Sequence, residues 1–218
     1  VVLMAILGPM MCKYSYAEQN MSLRNASPSM DHWFGTDRMG RDIFVRILFG
    51  ARISLAVGCL AAVINLIVGT IYGGIAGYVG GKVDMVMMRI VDIIYSVPAM
   101  LYIVLIMLIF GASVISIMLG ISITCWIDMA RIVRQQVKSL KEQEFTMAAF
   151  VLGASPSRIL IKHLLINTMG QIIVTVTLMV PQAIFTEAWL SFLGVGISAP
   201  MASWGTLAQD ARQLIMTY

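Results

Sequence analysis

The stretch ISLAVGCLAAVINLIVGTIYGGIAGYVGG, residues 53–81, decides the fold class, because none of its side chains is charged. At 1.5 Å per residue, a helix of this length exceeds the hydrocarbon core of a bilayer, which is about 30 Å thick. The stretch therefore predicts a membrane-spanning helix with room to tilt. Small residues let two helices approach closely. We expect such packing at Gly58, Gly69, Gly73, Gly74 and Gly77.

The composition of the whole chain agrees with a membrane protein. Of its 218 residues, 59% are hydrophobic and 12% are charged, whereas soluble domains have about 45–50% and about 25%. So little charge cannot cover the surface of a soluble globule. This argues against a cytosolic enzyme, a nucleic-acid binder and a disordered chain. Because the apolar stretches are long, we expect an all-α, polytopic membrane protein.

Two further uncharged windows predict three more spans. Residues 93–127 are too many for one straight crossing, so we expect a hairpin of two spans that turns at residues 111–113. Residues 164–186 suffice for one crossing. Residues 1–12 are interpreted as the end of a first span, and residues 213–218 as the start of a last one. The four complete spans are predicted at about 53–79, 87–110, 114–133 and 163–185.

The distribution of Lys and Arg predicts the orientation of the chain. Residues 131–162 carry six basic and two acidic side chains, which places the loop at residues 134–162 in the cytoplasm. By parity, residues 13–52 and residues 187–212 lie outside the cell, and the former should contain an interfacial helix. The charge difference is narrow, because residues 13–52 also carry six basic side chains, against eight on the cytoplasmic side.

The uncharged windows also disfavour some transport mechanisms. They contain no Asp, Glu, Lys, Arg or His, whereas ion-coupled carriers and voltage sensors need such residues at mid-membrane depth. Residues 77–82 approach a phosphate-binding loop, but the spacing is wrong and Val83 replaces Ser or Thr. We expect no catalytic residue, no metal site and no cofactor. If transport is active, another chain must supply the energy.

The segment KEQEFTMAAFVLGASPSRILIKH, residues 141–163, joins the last two complete spans. Residues 142–152 predict a short helix with acids in its first turn, and Gly153 suits its end. Ser155 and Pro156 fit the N-cap and first position of the next helix. The pattern is compatible with an ordinary helix–turn–helix connector and with a contact helix that presents small alanines.

This segment resembles the cytoplasmic coupling loop of ABC importer permeases, whose pattern is Glu-Ala-Ala, three residues, then Gly. The matching residues are Met147, Ala148, Ala149 and Gly153, so Met147 stands where the family has Glu. The resemblance implies that this loop contacts an ATPase. The residues that would make the contact are Glu144, Met147, Ala148, Ala149, Gly153, Ala154 and Ser155.

Two more segments carry the same resemblance. HWFGTDRMGRDIFVRILFGARISL at residues 32–55 and EAWLSFLGVGISAPMASWGTLAQDARQLI at residues 187–215 resemble the stretches before the second and last spans of oligopeptide, dipeptide and nickel importer permeases. With DIIYSVPAM at residues 92–100, the similarity covers nearly the whole chain. It is greatest for the second, or C-type, permease of each importer. The resemblance implies six spans in the full protein, with the first and last truncated here.

The resemblance further implies a type I ABC importer permease in the cell membrane. Its partners would be a second, homologous permease, two cytoplasmic ATPases, an extracytoplasmic solute-binding protein and the lipid bilayer, without nucleic acid. The chain would move peptides, or a related solute such as nickel, and would couple ATPase closure to opening of the pathway. It would catalyse no reaction itself. The alternative is a passive channel or a secondary carrier without an ATPase.

Other candidate residues have both structural and functional interpretations. Pro98 cannot donate to the carbonyl of Ile94, so we expect a kink that either packs helices or lines the pathway. Asn65 is expected to form an interhelical hydrogen bond rather than contact the solute. Glu187 could pair structurally or meet a substrate amine.

An external motif interleaves opposite charges before the second span. It could form a turn and an interfacial helix, with Arg46 and Arg52 near lipid headgroups, or it could dock the external binding protein. The residues of the external motif are Gly35, Thr36, Asp37, Gly40, Arg41 and Asp42.

Overall fold

The computed structural model describes residues 2–197 and 200–215, without the side chains of residues 213 and 214. The expected start of a last span at residues 213–218 therefore lies largely outside the described residues. Within the described part, helices follow one another without a β-strand, apart from one isolated bridge between Thr36 and Asp42. The helices are α1 Val2–Met11, α2 Ile43–Val79, α3 Gly81–Tyr95, α4 Ala99–Phe110, α5 Val114–Lys141, α6 Glu144–Val151, α7 Pro156–Phe192 and α8 Trp204–Ile215.

Three of these helices, α2, α5 and α7, are long and apolar enough to cross a bilayer. Helices α3 and α4 make a fourth candidate, bent by 70° at the break between them. Helix α2 begins ten residues before the predicted start of its span at residue 53, and α5 continues beyond residue 133 to Lys141. The break between α4, which ends at Phe110, and α5, which begins at Val114, falls where the hairpin turn was expected.

The long helices are locally irregular. Helix α2 contains a π-helical turn at Asn65–Gly69, and α7 contains a longer one at Ile159–Leu165. A one-turn 3₁₀ helix lies at Met21–Leu23, and α5 is interrupted briefly between Thr124 and Ile127. π-Helical turns are rare and occur often at functional sites.

The chain folds into two compact units, which are described separately. The first comprises residues 1–58, 106–117 and 182–218, and the second comprises residues 59–105 and 118–181. In the first unit, α8 packs closely on α7, since a Cβ at Gly205 would lie 2.5 Å from the carbonyl oxygen of Ala188. The Trp204 indole donates to the carbonyl of Ile47 in α2 at 3.3 Å.

The second unit is built on a glycine seam between α2 and α5. A Cβ at Gly69, Gly73 or Gly77 would lie 2.3–2.8 Å from backbone atoms of α5. The predicted close packing is confirmed at these three positions, which recur every four residues on one helix face. At Gly74 a Cβ would meet its nearest neighbour at 3.5 Å, an ordinary contact. Beside the seam, the buried core comprises Met129, Val133, Val137, Ala149, Ile159, Leu164 and Ile172.

Candidate coupling segment and external network

The short helix α6 lies where the coupling loop was predicted. It covers Glu144–Val151, slightly less than the predicted residues 142–152. Gly153 follows it in a left-handed conformation, with φ +79°. The amide of Gly153 donates to the carbonyl of Phe150, and the amide of Ala154 donates to that of Ala149, both at 3.0 Å. This pair of bonds is a Schellman motif, so Gly153 ends the helix as predicted.

The next helix begins as the sequence predicted, with one difference. Pro156 occupies the first turn of α7, and Ser155 is the extended N-cap residue before it. The Ser155 hydroxyl lies 3.4 Å from the Ser157 hydroxyl, and within the described residues it does not cap the helix. The backbone geometry, rather than the hydroxyl, therefore defines this boundary.

The inner face of α6 is anchored to its own chain. Ala149 is 8% exposed and belongs to the core that includes Val137 and Ile159. Thr146 is also buried, and its hydroxyl donates to the carbonyl of Leu140 at 2.8 Å. The interpretation that Ala148 and Ala149 together present a small face outward is therefore wrong for Ala149. Thr146 and Ala149 are three residues apart and so share the buried side of the helix, whereas Ala148 lies on the exposed side.

The outer face of α6 is apolar and exposed. Met147, Phe150 and Leu152 are 62%, 72% and 86% exposed, and Val151 and Ala148 are exposed beside them. We call Met147, Ala148, Phe150, Val151 and Leu152 the coupling face. We did not predict a contact role for the large residues Phe150, Val151 and Leu152. Three consecutive apolar residues between charged segments could have indicated it. Glu144 is exposed at the start of the helix.

Ion pairs hold α3 against α5, next to the glycine seam. Arg134 binds the buried carboxylate of Asp84 through Nε and through Nη2, the latter at 2.6 Å, and Lys138 lies 3.5 Å from it. Arg131 donates to Asp92 at 2.8 Å. Three of the basic residues that predicted the orientation are therefore also structural partners of two acids in α3.

The external motif forms a buried network around Asp37. This carboxylate accepts hydrogen bonds from the backbone amides of Met39 (2.8 Å) and Arg41 (3.0 Å). It also accepts from the side chains of Arg41 (2.7 Å) and Arg46 (2.6 Å). Burial alone would raise the pKa of Asp37, but the hydrogen bonds and the charge of Arg41 lower the pKa below its ordinary value.

The two glycines of the external motif are required by the backbone. Gly35 and Gly40 have φ of +72° and +69°. A Cβ at Gly35 would lie 2.3 Å from the carbonyl oxygen of Ala26, and one at Gly40 would lie 1.7 Å from that of Asn20. Between them, Thr36 pairs with Asp42 in the isolated bridge. The motif therefore forms a tight loop against the residues before it.

Asp42 joins this loop to the start of α2. One carboxylate oxygen accepts from the amide of Val45 at 2.9 Å and so caps the helix. The other lies 2.8 Å from Nδ1 of His32. Thr36, Asp37, Arg41 and Asp42 are all buried. A protein that docks on this segment would therefore meet the exposed neighbours Trp33, Phe34 and Met39.

The expectation that Arg46 lies near lipid headgroups is wrong, and the expectation for Arg52 stays a prediction, because Arg52 is half-buried. Arg46 is 3% exposed and binds Asp37 together with Asp210 at 3.2 Å. Arg52 donates to the carbonyls of α1 at Ala5 and Ile6. Each guanidinium therefore binds a residue that is distant in sequence.

The expected kink at Pro98 is a complete break between α3 and α4. The carbonyl of Ile94, which Pro98 cannot serve, accepts a hydrogen bond from the Tyr102 hydroxyl at 3.2 Å. The Ser96 hydroxyl donates to the carbonyl of Ile93 at 2.7 Å. The carbonyl of Ile94 also accepts from the amide of Val97 at 3.4 Å, so backbone and side-chain donors together serve the carbonyls at the break.

Asn65 and Glu187 differ in their environment. Asn65 is buried in the π-helical turn, and its Oδ1 has no hydrogen-bond partner among the described residues. Among the described residues, Oδ1 therefore does not accept the interhelical hydrogen bond that was expected of Asn65. Glu187 is fully buried and accepts from the hydroxyls of Ser54 (3.0 Å) and Ser191 (2.8 Å). In this structure the pairing of Glu187 is structural, because a solute amine cannot reach it.

Comparison with known proteins identifies the family. Residues 69–216 match the family described as "Binding-protein-dependent transport system inner membrane component". The chain belongs to this family. It is thus a membrane permease with an all-α, multi-pass fold, as predicted, and six spans in the full protein are consistent with its helices. Among the residues that the structure describes, no group of three His, Cys, Asp or Glu side chains could hold a metal ion.

Curated relatives of this permease resemble it along its length. It is 51% identical to the oligopeptide transport system permease protein OppC of Bacillus subtilis, over 100% of this chain and 72% of that protein. It is 49% identical to the dipeptide transport system permease protein DppC of Bacillus subtilis, over 98% of this chain and 67% of that protein. It is 45% identical to OppC of Escherichia coli, over 96% and 70% respectively.

Proposed function

We propose that this chain is the C-type permease subunit of an ATP-driven importer of peptides. Its relatives are named as oligopeptide and dipeptide transport permeases, which favours peptides over nickel as the solute. The observation that carries the coupling role is the coupling face of α6, an exposed apolar surface on a helix whose other side is buried. Exposed apolar clusters of this kind favour contact with another protein.

In this proposal α6 transmits force because its two faces have different partners. The coupling face binds a groove on an ATPase, and Met147 offers an apolar contact where the family Glu would offer a charge. On the inner face, Ala149 contacts the core of the second unit, which contains residues of α5 and α7. A displacement of α6 by the ATPase therefore moves that core directly.

The remaining partners complete the importer. A second, homologous permease would enclose the pathway, two cytoplasmic ATPases would hydrolyse ATP, and an extracytoplasmic binding protein would deliver the peptide. This chain would hydrolyse no ATP. The loop at residues 134–162 would face the cytoplasm, and residues 13–52 and 187–212 would face outward. Pro98 lies at a break in a candidate span, which supports a role in shaping the pathway.

The test replaces an exposed apolar residue of the coupling face. Phe150→Asp should leave the fold intact, because the side chain is 72% exposed, and should reduce both ATPase co-purification and peptide uptake. Met21→Asp is the matched control, since Met21 is also an exposed apolar residue but lies in the predicted external segment. Normal ATPase binding and uptake by Phe150→Asp would overturn the coupling role. Peptide uptake into vesicles that contain the permeases without ATPases would instead favour a passive channel.

A further inference from the structure

A groove between α1 and the start of α2 changes from apolar to charged along its length. All of its residues belong to the first compact unit. Its apolar part has a volume of about 440 Å³, and its charged mouth a volume of about 230 Å³. Met11, Cys12, Trp33 and Phe44 line both parts, so the two parts adjoin. Volumes of about 300–1,000 Å³ are typical of ligand sites.

The apolar part is a slot without charged side chains. In addition to the four shared residues, it is lined by Leu3, Met4, Leu7, Gly8 and Leu48. The slot follows α1, whose ten residues extend about 15 Å at 1.5 Å each. A slot of this length and chemistry suits an extended hydrocarbon chain, and it offers no partner to the backbone of a peptide.

The mouth is lined by Lys13, Asp31 and Asp42. Asp42 is buried and already bound to His32 and the amide of Val45, so the exposed charges are one of each sign. Lys13 Nζ lies 3.8 Å from Asp31 Oδ1, and both side chains are 75% exposed. Such an exposed pair contributes little free energy by itself. A ligand can therefore replace it at little cost and bind each charge. Trp33 lies between the mouth and the slot, with its ring 4.9 Å from that of Phe44. Tryptophan favours the boundary between hydrocarbon and headgroups.

We propose that this groove binds one molecule of phosphatidylethanolamine from the surrounding bilayer. An acyl chain fills the slot, Lys13 binds the phosphate and Asp31 binds the ammonium group. The pair matches both charges of this headgroup. An anionic phosphatidylglycerol lacks the ammonium, and its phosphate would lie near the uncompensated Asp31. The inference does not depend on the proposed function, because it requires only that the chain lies in a membrane.

Cys12 reports on occupancy because it lines both parts of the groove. The importer is assembled with its partner subunits in nanodiscs of either phosphatidylethanolamine or phosphatidylglycerol, with the other cysteines of this chain, Cys59 and Cys125, replaced by alanine. We expect maleimide to label Cys12 about tenfold more slowly in phosphatidylethanolamine. A factor of this size corresponds to one charge-assisted hydrogen bond.

Two variants separate the headgroup from the acyl chain. Lys13→Glu should abolish the protection of Cys12, whereas the control Arg24→Glu, an exposed residue outside the groove, should retain it. Leu7→Trp, which fills the slot, should reduce the amount of phosphatidylethanolamine that co-purifies with the importer, measured by mass spectrometry.

Three results would overturn the proposal. The first is equal labelling of Cys12 in the two lipids. The second is stronger protection by phosphatidylglycerol. The third is a Cys12 that is unreactive in both lipids without co-purified phosphatidylethanolamine, which would show that protein covers the groove. Each result leaves the transport assay unaffected, so it is distinguishable from failure of the importer assignment.

Discussion

At the scale of single residues, Arg52 of α2 supplies a hydrogen bond that the backbone of α1 lacks. Pro9 lies inside α1 and has no amide hydrogen, so the carbonyl of Ala5 lacks its usual partner. Arg52 supplies one, with Nε 3.2 Å from that oxygen and Nη2 2.8 Å from the carbonyl of Ile6. This arginine therefore stabilises the contact between α1 and α2.

The first prediction separates this role from the charge of Arg52. Arg52→Leu should lower the free energy of unfolding by about 1.5–3 kcal/mol, the usual size for hydrogen bonds to a charged group. In a Pro9→Ala background the loss should be smaller, because the new amide serves Ala5. Denaturant unfolding of the four proteins in detergent measures the coupling. Equal losses in both backgrounds would contradict the assigned pairing.

The second prediction follows from the lowered pKa of Asp37. A carboxyl whose folded pKa is lowered stabilises the fold fully above its unfolded pKa, about 3.9, and this contribution is lost as the pH falls through the folded value. The stability difference between the native chain and Asp37→Asn should therefore be constant from neutral pH to about pH 5 and shrink below about pH 4. Denaturant unfolding at several pH values measures it, and a difference that grows in acid would refute this.

The residues of the external motif show which side-chain roles the sequence can reveal. Asp37 and Arg41 are four residues apart, so their pairing was open to local prediction. Arg46 also contacts Asp210, which is 164 residues away, and nothing in the local pattern of charges indicates that contact. The charged motif could therefore be recognised from the sequence. The burial of Arg46 could not, because it depends on a partner distant in sequence.

At the scale of elements, the glycine seam gives the third prediction. Gly73→Ala would place a Cβ 2.3 Å from the backbone oxygen of Ala130, and because a backbone cannot move aside cheaply we expect a loss of about 1–3 kcal/mol. Gly74→Ala is the matched control, since its Cβ would meet nothing closer than 3.5 Å. The control should be neutral, or stabilising by up to about 1 kcal/mol through helix propensity. Thermal unfolding measures both, and equal effects would argue against the seam.

The fourth prediction uses the two alanines of α6. Ala149→Trp should destabilise the second unit, because it forces a large ring into a packed core. Ala148→Trp should leave stability unchanged, since this side chain is exposed, yet should weaken ATPase binding if the coupling face is the contact. Thermal unfolding and ATPase co-purification distinguish the two effects. A stable Ala149→Trp protein with normal ATPase binding would show that α6 is not anchored as described.

Helices were predictable from the sequence to different degrees. That residues 93–127 must turn followed from length alone, because a single straight helix of that length could not fit the bilayer. The early start of α2 at Ile43 did not follow from length, because Arg46 and Arg52 lie before the uncharged window. In the structure the charge of Arg46 is paired with Asp37, and Arg52 donates to the carbonyl of Ala5. The π-helical turns were not predicted from the sequence.

At the scale of the whole molecule, the proposed orientation gives the fifth prediction. Ser29 and Ser139 are both exposed and lie in segments assigned to opposite sides of the membrane. Single cysteines at these positions, in a chain whose native cysteines are alanine, should react with an impermeant reagent from opposite sides. A cysteine at Met147 is the control and should match Ser139. Labelling of the Ser29 and Ser139 positions from one side would overturn the arrangement of spans.

The ion pairs between α3 and α5 also bear on the biosynthesis of the protein. Acidic residues contribute little to the positive-inside rule, so in the proposed orientation we expect Arg131, Arg134 and Lys138 to direct insertion before Asp84 and Asp92 bind them. Once folding pairs them, the same charges hold two helices together. Replacement of either aspartate should therefore impair the packing of α3 on α5 after insertion. Replacement of the basic residues should also disturb the orientation in which the chain is inserted.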